Sequence, residues 1–323
     1  MLDSRALLRQ AGLFAKKSFG QNFLVAEPVV HAIAEACVPP GERDQAVCVE
    51  LGAGLGALTS ELVGRARQVV AVERDRELVP ILGQALEPSV TAGRLRIVEA
   101  DAQTVDIAAL FSEAGQTSSP PVSPAFSVAD PRPSSGTQSS SSSTGSTGLA
   151  SPIPRVLCGN LPYQITGSLL QLAVRHASHL TRAVFMVQEE VADRLVASPG
   201  AKEYGALTVF VHASFRVRRL LTVSRACFHP SPEVTSAVVV LEALRPPRSE
   251  ETEAFRAVVK GAFAMRRKTL RNAWKPLSSD PDVLNAMASA AGVGLESRGE
   301  TLDVEAFAAA AEALIRSGWT PKA

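Results

Sequence analysis

The sequence has few cysteines, and their spacing does not match a metal site or a disulfide framework. The four are widely scattered, with no Cys-x-x-Cys pair: Cys37, Cys48, Cys158 and Cys227. Cys48 and Cys158 lie in apolar runs that are typical of buried strands, where cysteine acts as a small hydrophobic residue. We therefore predict a reducing compartment, the cytoplasm, and a protein that binds no metal.

Long apolar runs are also absent, although the chain is 46% hydrophobic and 20% charged. No stretch reaches the roughly 20 residues that span a bilayer, so we predict a globular protein without a membrane partner.

The net charge is only +1, which does not by itself indicate a polyanionic partner. The charge is uneven, however. Residues 201–275 hold 14 lysines and arginines against six aspartates and glutamates, a local excess that favours phosphate binding.

Short apolar runs alternate with helix-like segments through most of the chain. Strands are predicted at residues 47–51, 69–72, 95–98, 156–158 and 183–187, with helices at 57–64 and 77–86. Two later β-branched runs, at 209–217 and 236–241, predict an antiparallel pair. The alternation predicts an α/β fold in which helices cover both faces of a mostly parallel, Rossmann-like sheet.

The composition changes at two places. Residues 115–152 are dominated by Ser, Pro, Gly and Thr, which cannot bury enough apolar surface to order a segment. They predict a disordered insertion, with a regulated or partner-binding segment as the alternative. After residues 245–248 the chain is helix-like, with helices predicted at 253–274, 282–291 and 304–317. We predict one domain at 1–244 and a small all-helical domain at 245–323.

A glycine-rich turn follows the first predicted strand, in the segment Glu50-Leu51-Gly52-Ala53-Gly54-Leu55-Gly56-Ala57. Glycines let a backbone turn sharply and approach a ligand. The same pattern also satisfies the fingerprint of nicotinamide dehydrogenases and occurs in ordinary structural turns.

Glu73 ends the second strand, where an acid can accept from both ribose hydroxyls. Asp101, next to Ala102, ends the third, where it can accept from an adenine amine. Alone, either acid could be a helix cap.

The fourth predicted strand ends in Asn160-Leu161-Pro162-Tyr163. The side-chain oxygen of Asn160 and the carbonyl of Leu161 can accept from a planar amine, and the ring of Tyr163 can stack on a heterocycle. Ligands of open α/β sheets bind at the carboxyl ends of the strands, where these features converge. The combination favours S-adenosylmethionine over a dinucleotide, because hydride transfer has no evident need for acceptors that hold a substrate amine.

With these motifs the sequence resembles the KsgA-type ribosomal RNA adenine dimethyltransferases, which are relatives of the Erm-type resistance methyltransferases. The resemblance covers nearly the whole chain from Lys16, except the Ser-rich insertion. Besides the glycine loop and the Asn160 motif, it depends on residues 17–24 (KSFGQNFL), 228–236 (FHPSPEVTS) and 266–272 (RRKTLRN).

The resemblance implies a monomeric methyltransferase that dimethylates two adjacent adenines in a hairpin loop near the 3′ end of small-subunit rRNA. It implies that S-adenosylmethionine is bound by Asn22, Leu24, Gly52, Gly54, Glu73, Asp101, Ala102 and Asn160. Asn160 and Leu161 would hold the target amine, and Tyr163 would stack on the target base. Phe228 is a candidate for the opposite face of that base, with an ordinary core aromatic as the alternative.

Basic residues are candidates for contact with RNA phosphates. Arg266, Arg267, Lys268 and Arg271 are expected on one helix, with Arg267 and Arg271 one turn apart. Such a run usually marks a solvated helix face, but its context favours RNA binding. Lys16 and Lys17 are further candidates.

Three alternatives remain open at this stage. An Erm-type enzyme would apply the same chemistry to large-subunit rRNA. A ribosome-assembly factor would bind precursor subunits, with methylation as a secondary activity. A nicotinamide dehydrogenase would account for the glycine loop but not for Asn160-Leu161-Pro162-Tyr163.

Overall fold

The computed structural model describes residues 4–16, 19–116, 153–265 and 267–321. Within these ranges the strands are β1 Phe23–Leu24, β2 Val47–Leu51, β3 Gln68–Glu73, β4 Leu95–Glu99, β5 Arg155–Asn160, β6 Arg182–Gln188, β7 Phe215–Val223, β8 Phe228–His229 and β9 Ser236–Ala243. The α-helices are α1 Ser4–Ala11, α2 Glu27–Cys37, α3 Ala57–Leu62, α4 Leu78–Ala85, α5 Glu87–Thr91, α6 Ile107–Gln116, α7 Thr166–Arg175, α8 Glu189–Val196, α9 Ala206–Ser214, α10 Glu253–Ala264, α11 Leu270–Ala273, α12 Pro281–Ala290 and α13 Val304–Arg316. The predicted insertion lies outside the described residues, apart from its first two residues, which end α6.

Seven strands form one sheet in the order β4-β3-β2-β5-β6-β9-β7. The five strands from β4 to β6 are parallel to their neighbours, and β9 and β7 complete the sheet as antiparallel strands. A separate two-stranded pair joins β1 to β8, with Leu24 opposite Phe228. The α/β fold with a parallel-dominated sheet is therefore confirmed.

Both faces of the sheet are buried, which explains why its central strands are apolar without interruption. In β2 the side chains of Val47, Val49 and Leu51 join the core on one face, and Cys48 joins the core on the other. Alternate residues of a strand point to opposite faces, so two layers of helices bury every position of β2.

The strand order places a crevice at the carboxyl end of β2. After β2, the next strands in sequence, β3 and β4, lie on one side of β2 within the sheet. The chain then crosses over, and β5 and β6 lie on the other side of β2. The loops that leave β2 and β5 therefore diverge, and ligands of open α/β sheets bind where the strand order reverses. The ends of β2, β3, β4 and β5 all lie at this edge.

The strand predicted at residues 209–217 is wrong over most of its length. Residues 206–214 form α9, and the strand begins only at Phe215, as β7. Val209 and Val211 are fully buried in this helix. Because the packing of an apolar helix outweighs the modest strand preference of valine, the β-branched run was a misleading signal. The antiparallel pairing with the later run is correct for β7 and β9.

The long helix predicted at residues 253–274 is interrupted. Its first part, α10, ends at Ala264, and the short α11 begins at Leu270. The backbone N–H of Leu270 donates to the carbonyl of Ser297 at 2.8 Å, and that of Arg271 donates to the carbonyl of Leu295 at 3.0 Å. Bonds to another loop replace the bonds that would have continued the helix.

The C-terminal helices have a core of their own. Phe255, Trp274 and Phe307 are fully buried in it, and Phe210 of α9 packs into the same cluster. The helical prediction for this region is confirmed, while the boundary at residue 245 stays a prediction. In the part of the chain that the structure describes, no helix has both the length and the apolar character required to cross a membrane.

Candidate active site

The crevice at the carboxyl edge of the sheet gathers most of the residues that were predicted to act. One cavity opens there between the strand ends and the segment that leads into β1. Its lining includes Asn22, Leu24, Gly52, Gly54, Glu73, Asp101, Ala102, Asn160, Leu161 and Tyr163. These residues are far apart in the sequence and meet because parallel strands end at one edge.

The loop after β2 needs glycine for two separate reasons. Gly52 and Gly54 have φ angles of 75° and 57°, in the left-handed region that residues with a side chain rarely adopt. A Cβ on Gly54 would also lie 3.2 Å from the ring of Phe23. The bare backbone therefore forms one wall of the cavity.

Glu73 ends β3 as a buried carboxylate, 7% exposed. Its Oε2 accepts from the backbone N–H of Gly54 at 2.7 Å, and its Oε1 accepts from that of Asp75 at 2.8 Å. Burial raises the pKa of Glu73, although the backbone hydrogen bonds from Asp75 and Gly54 oppose the rise. Each oxygen keeps further lone pairs, so the carboxylate can still accept from a vicinal diol in the cavity.

Asp101 follows β4 and is oriented by its own turn. Its Oδ1 accepts from the backbone N–H of Gln103 at 2.9 Å, and its Oδ2 lies 3.4 Å from Nη1 of Arg74. The carboxylate lines the cavity together with Ala102. It offers an acceptor to a ligand in the cavity, and its contact with an adenine amine stays a prediction.

The side chain of Asn160 is oriented by the segment that leads into β1. Its Nδ2 donates to the backbone carbonyl of Asn22 at 2.9 Å. A carbonyl accepts only from a donor, so the nitrogen of the carboxamide faces Asn22 and the oxygen is left as the acceptor for a ligand. Next to it, the backbone N–H of Leu161 donates to the carbonyl of Met186 in β6 at 3.0 Å.

The ring of Tyr163 is held in place through its hydroxyl group. Its hydroxyl and the hydroxyl of Ser236, the buried first residue of β9, lie 3.0 Å apart. The turn before it is held by Thr166, whose Oγ1 donates to the carbonyl of Pro162 at 3.0 Å. Tyrosine anchored in this way presents a flat face at a defined place in the cavity lining.

Phe228 departs from its predicted place. It is only 3% exposed, packs in the core beneath α2 and α3, and does not line the cavity. Its strand, β8, pairs with β1, which buries the ring beside Leu24. In this conformation Phe228 is a buried core aromatic, which is the alternative, and its contact with a target base stays a prediction.

The basic residues are arranged differently from the prediction. Arg267 and Lys268 are exposed in the turn between α10 and α11, so they do not share a helix with Arg271, whose Nε lies 3.0 Å from Oε1 of Glu296. Lys16 contacts Asp75 and Glu77 through Nζ, at 2.7 and 2.6 Å. Arg266 and Lys17 lie outside the described residues.

Glu50 is a further carboxyl group in the cavity lining, and it was not among the predicted site residues. It is 2% exposed, and its Oε2 accepts from Oγ1 of Thr59 at 2.6 Å. Burial raises the pKa of Glu50 to about 8, against the opposing hydrogen bond from Thr59. Its place in the strand before the glycine loop was the available signal. Among the described residues there is no group of three or more His, Cys, Asp or Glu that could hold a metal ion.

Comparison with known proteins gives a consistent result along the chain. The family model described as "Ribosomal RNA adenine dimethylase" matches residues 12–315. A "Ribosomal RNA small subunit methyltransferase A" of Myxococcus xanthus is 37% identical over 97% of this chain and 96% of its own. A protein of the same name from Moorella thermoacetica is 38% identical over 96% of each chain.

Two solved structures share the fold at low sequence identity. A dimethyladenosine transferase from Plasmodium falciparum superposes with a TM-score of 0.64 at 20% identity, over 92% of this chain and 98% of that one. The 23S rRNA methyltransferase ErmE superposes with a TM-score of 0.59 at 24% identity, over 91% and 100%. At such identities the likeness shows the fold alone.

Proposed function

The chain belongs to the ribosomal RNA adenine dimethylase family, and on this premise we propose that it dimethylates two adjacent adenines near the 3′ end of small-subunit rRNA. It is an rRNA adenine methyltransferase, and its membership of this family excludes the alternative of a nicotinamide dehydrogenase. The finer proposal covers S-adenosylmethionine as the methyl donor, a hairpin loop as the substrate, and a monomeric enzyme in the cytoplasm. The relatives' names favour the small subunit over an Erm-type substrate.

The observation that carries the proposal is the orientation of Asn160. Its carboxamide oxygen is left as an acceptor in the same cavity as the glycine loop and two strand-end carboxylates. An acceptor oxygen beside a nucleoside-binding set is suited to an exocyclic amine that must approach a bound cofactor.

The residues of the cavity fit S-adenosylmethionine. The bare backbone at Gly52 and Gly54 admits close approach, and a Cβ at Gly54 would already crowd Phe23. The acceptor at Glu73 matches a ribose diol, and the acceptor at Asp101 matches an adenine amine. Glu73 ends β3 and Asp101 follows its neighbour β4, so the two acceptors lie side by side, as ribose and adenine do in the cofactor. When bound, the cofactor would supply a methyl group that is already activated by its positive sulfur.

The protein's own contribution to the reaction is to position the amine. A loop adenine must unstack from its neighbouring bases to enter the cavity. There the aromatic ring of Tyr163 would stack on it. The oxygen of Asn160 and the carbonyl of Leu161 would accept the two amine hydrogens, which favours a tetrahedral nitrogen with a free lone pair. Alignment of this lone pair with the methyl carbon would supply much of the acceleration.

Contact with RNA phosphates is proposed for the exposed turn at Arg267 and Lys268 and for Arg271, together with Arg266 and Lys17. Lys16 is the weakest member of this set, because two carboxylates already contact its ammonium group. We further propose that residues 1–244 act as the catalytic domain and that 245–323 act as the helical RNA-binding domain.

The test is an incubation of the purified protein with radiolabelled S-adenosylmethionine and unmethylated ribosomal subunits. The proposal predicts label in rRNA of small subunits and none in rRNA of large subunits. Label in large-subunit rRNA alone would assign the chain to Erm-type chemistry. If neither subunit is labelled while the protein still binds small subunits, the assembly-factor alternative replaces the proposal.

A further inference from the structure

Asp75 is a buried carboxylate close to the cavity, and no step described so far uses it. It lies two residues after the end of β3 and is 3% exposed. Buried aspartates require partners that satisfy both oxygens, and the identity of those partners indicates what the residue holds in place.

The long-range partners of Asp75 belong to the segment that leads into β1, while its Oδ1 also accepts from the backbone N–H of Glu77 in its own turn at 3.2 Å. Its Oδ1 accepts from Nζ of Lys16 at 2.7 Å, and its Oδ2 accepts from Nε2 of Gln21 at 2.7 Å. The Oε1 of Gln21 in turn accepts from the backbone N–H of Lys16 at 2.8 Å. Two side chains, 59 and 54 residues away in sequence, are therefore fastened to one carboxylate.

Gln21 immediately precedes Asn22, whose carbonyl orients the carboxamide of Asn160 at 2.9 Å. The chain of contacts thus runs from Asp75 through Gln21 to the backbone of Asn22, and from there to the acceptor of the target amine. Asp75 also donates its own backbone N–H to Glu73 at 2.8 Å, which links the same residue to the carboxylate expected at the ribose.

We infer that Asp75 is a positioning residue: it holds Lys16 and Gln21 at the edge of the cavity, and through the carbonyl of Asn22 it sets the orientation of Asn160. The inference deepens the proposed function and rests on it. Burial alone would raise the pKa of Asp75, but the hydrogen bonds from Lys16 and Gln21 outweigh burial and lower it, as expected for an ionised carboxylate with strong donors.

Asp75→Asn is the sharpest substitution. It preserves the shape but replaces one of two acceptor oxygens with a donor, so the bond from either Lys16 or Gln21 to residue 75 is lost. Glu77→Gln is the matched control. Glu77 contacts Nζ of Lys16 at 2.6 Å, but its side chain is 53% exposed, and exposed ion pairs contribute little. Gln21→Met breaks the same bridge without changing Asp75.

The first measurement needs no activity. Hydrogen exchange at the amides of Phe19 and Gln21, which both donate to the carbonyl of Lys16, should accelerate in Asp75→Asn and Gln21→Met and stay unchanged in Glu77→Gln. Unchanged exchange in Asp75→Asn would overturn the inference even if the enzyme methylates as proposed. Conversely, inactive wild-type protein would contradict the proposed function and leave this measurement interpretable.

The second measurement is a double-mutant cycle with Asn160→Ala. In the wild-type background Asp75→Asn should lower kcat on the order of tenfold or more, as expected for a misplaced catalytic contact. When Asn160→Ala is already present, Asp75→Asn should lower kcat less than twofold further, because it acts through a side chain that is gone. Equal losses in both backgrounds would show that Asp75 acts elsewhere and would overturn the inference.

Discussion

Asn160 and Asn22, 138 residues apart in the sequence, are joined by a hydrogen bond of 2.9 Å from a side-chain amide to a backbone carbonyl. The bond crosses from the end of β5 to the segment over the cavity, and it decides which atom of the Asn160 carboxamide a ligand meets. Because the acceptor oxygen is presented by contact between two motifs, neither motif can present it alone.

Asn160→Ala should lower kcat roughly a hundredfold and the affinity for S-adenosylmethionine far less, because the contact proposed for its oxygen is with the reacting amine. Single-turnover methylation and isothermal titration measure the two quantities. Asn285→Ala, an exposed amide on α12, serves as the control. An equal loss of kcat and cofactor affinity would refute the assigned role.

Glu73→Ala should weaken cofactor binding about tenfold to a hundredfold, because a ribose diol would lose a charged acceptor worth about 1.5–3 kcal/mol. Glu73→Gln keeps the shape and separates the charge from the packing. Titration with S-adenosylhomocysteine gives the affinity without turnover, and Glu87→Ala is an exposed control. Unchanged affinity in both Glu73 variants would remove this residue from the site.

Tyr163 allows its ring and its hydroxyl to be tested separately. Tyr163→Ala should lower kcat/KM for RNA about 5- to 150-fold, which corresponds to the loss of about 1–3 kcal/mol of base stacking on an aromatic ring. Tyr163→Phe keeps the face and loses only the contact with Ser236, so it should retain most of the activity. If the two variants are equally impaired, the hydroxyl rather than the stacking face is responsible.

Glu50 predicts a pH dependence of the free energy of unfolding. Its pKa is about 8 in the folded protein, raised by burial, against 4.5 ordinarily, so between these values the folded state holds a proton that the unfolded state lacks. Its contribution to stability is therefore fully present below pH 4.5 and is lost as pH rises towards 8, at up to about 1.4 kcal/mol per pH unit.

Glu50→Gln removes that proton exchange. The free energy of unfolding of the variant, relative to the wild type, should rise steadily as pH increases from 5 to 8. Denaturant unfolding at several pH values in the absence of ligand provides the measurement. Parallel pH profiles for the two proteins would show that Glu50 is already ionised.

RNA affinity should fall steeply with salt, because each phosphate contact releases counterions. Arg267→Ala and Lys268→Ala should each weaken binding and reduce the salt slope by about one. Arg316→Ala is the control, since this residue ends α13 and pairs with Glu312. A salt slope that is the same in all four proteins would exclude the turn between α10 and α11 from the RNA interface.

The strand ends were predictable from sequence because burial on both faces leaves an uninterrupted apolar run that stops where the cavity begins. Glu73 and Asn160 end such runs, and Asp101 follows the partly exposed edge strand β4, so their convergence required only the rule for parallel sheets. The apolar run of α9 shows the limit of this signal, since a buried helix and a buried strand are alike in composition.

The supporting contacts could not be predicted in the same way. Asp75 is bonded to Lys16 and Gln21, and Ser236 lies against Tyr163, in each case across more than 50 residues. No local period or spacing encodes such pairs. The break between α10 and α11 has the same origin, because the backbone there bonds to the loop at residues 295–297.

The most direct test of the central claim is to map modified nucleosides in small-subunit rRNA after complete reaction with the wild-type protein. The account predicts dimethyladenosine at two adjacent positions in one hairpin loop near the 3′ end, formed roughly a hundredfold more slowly by Asn160→Ala. Methylation confined to another nucleoside, or to a paired region of the RNA, would contradict it.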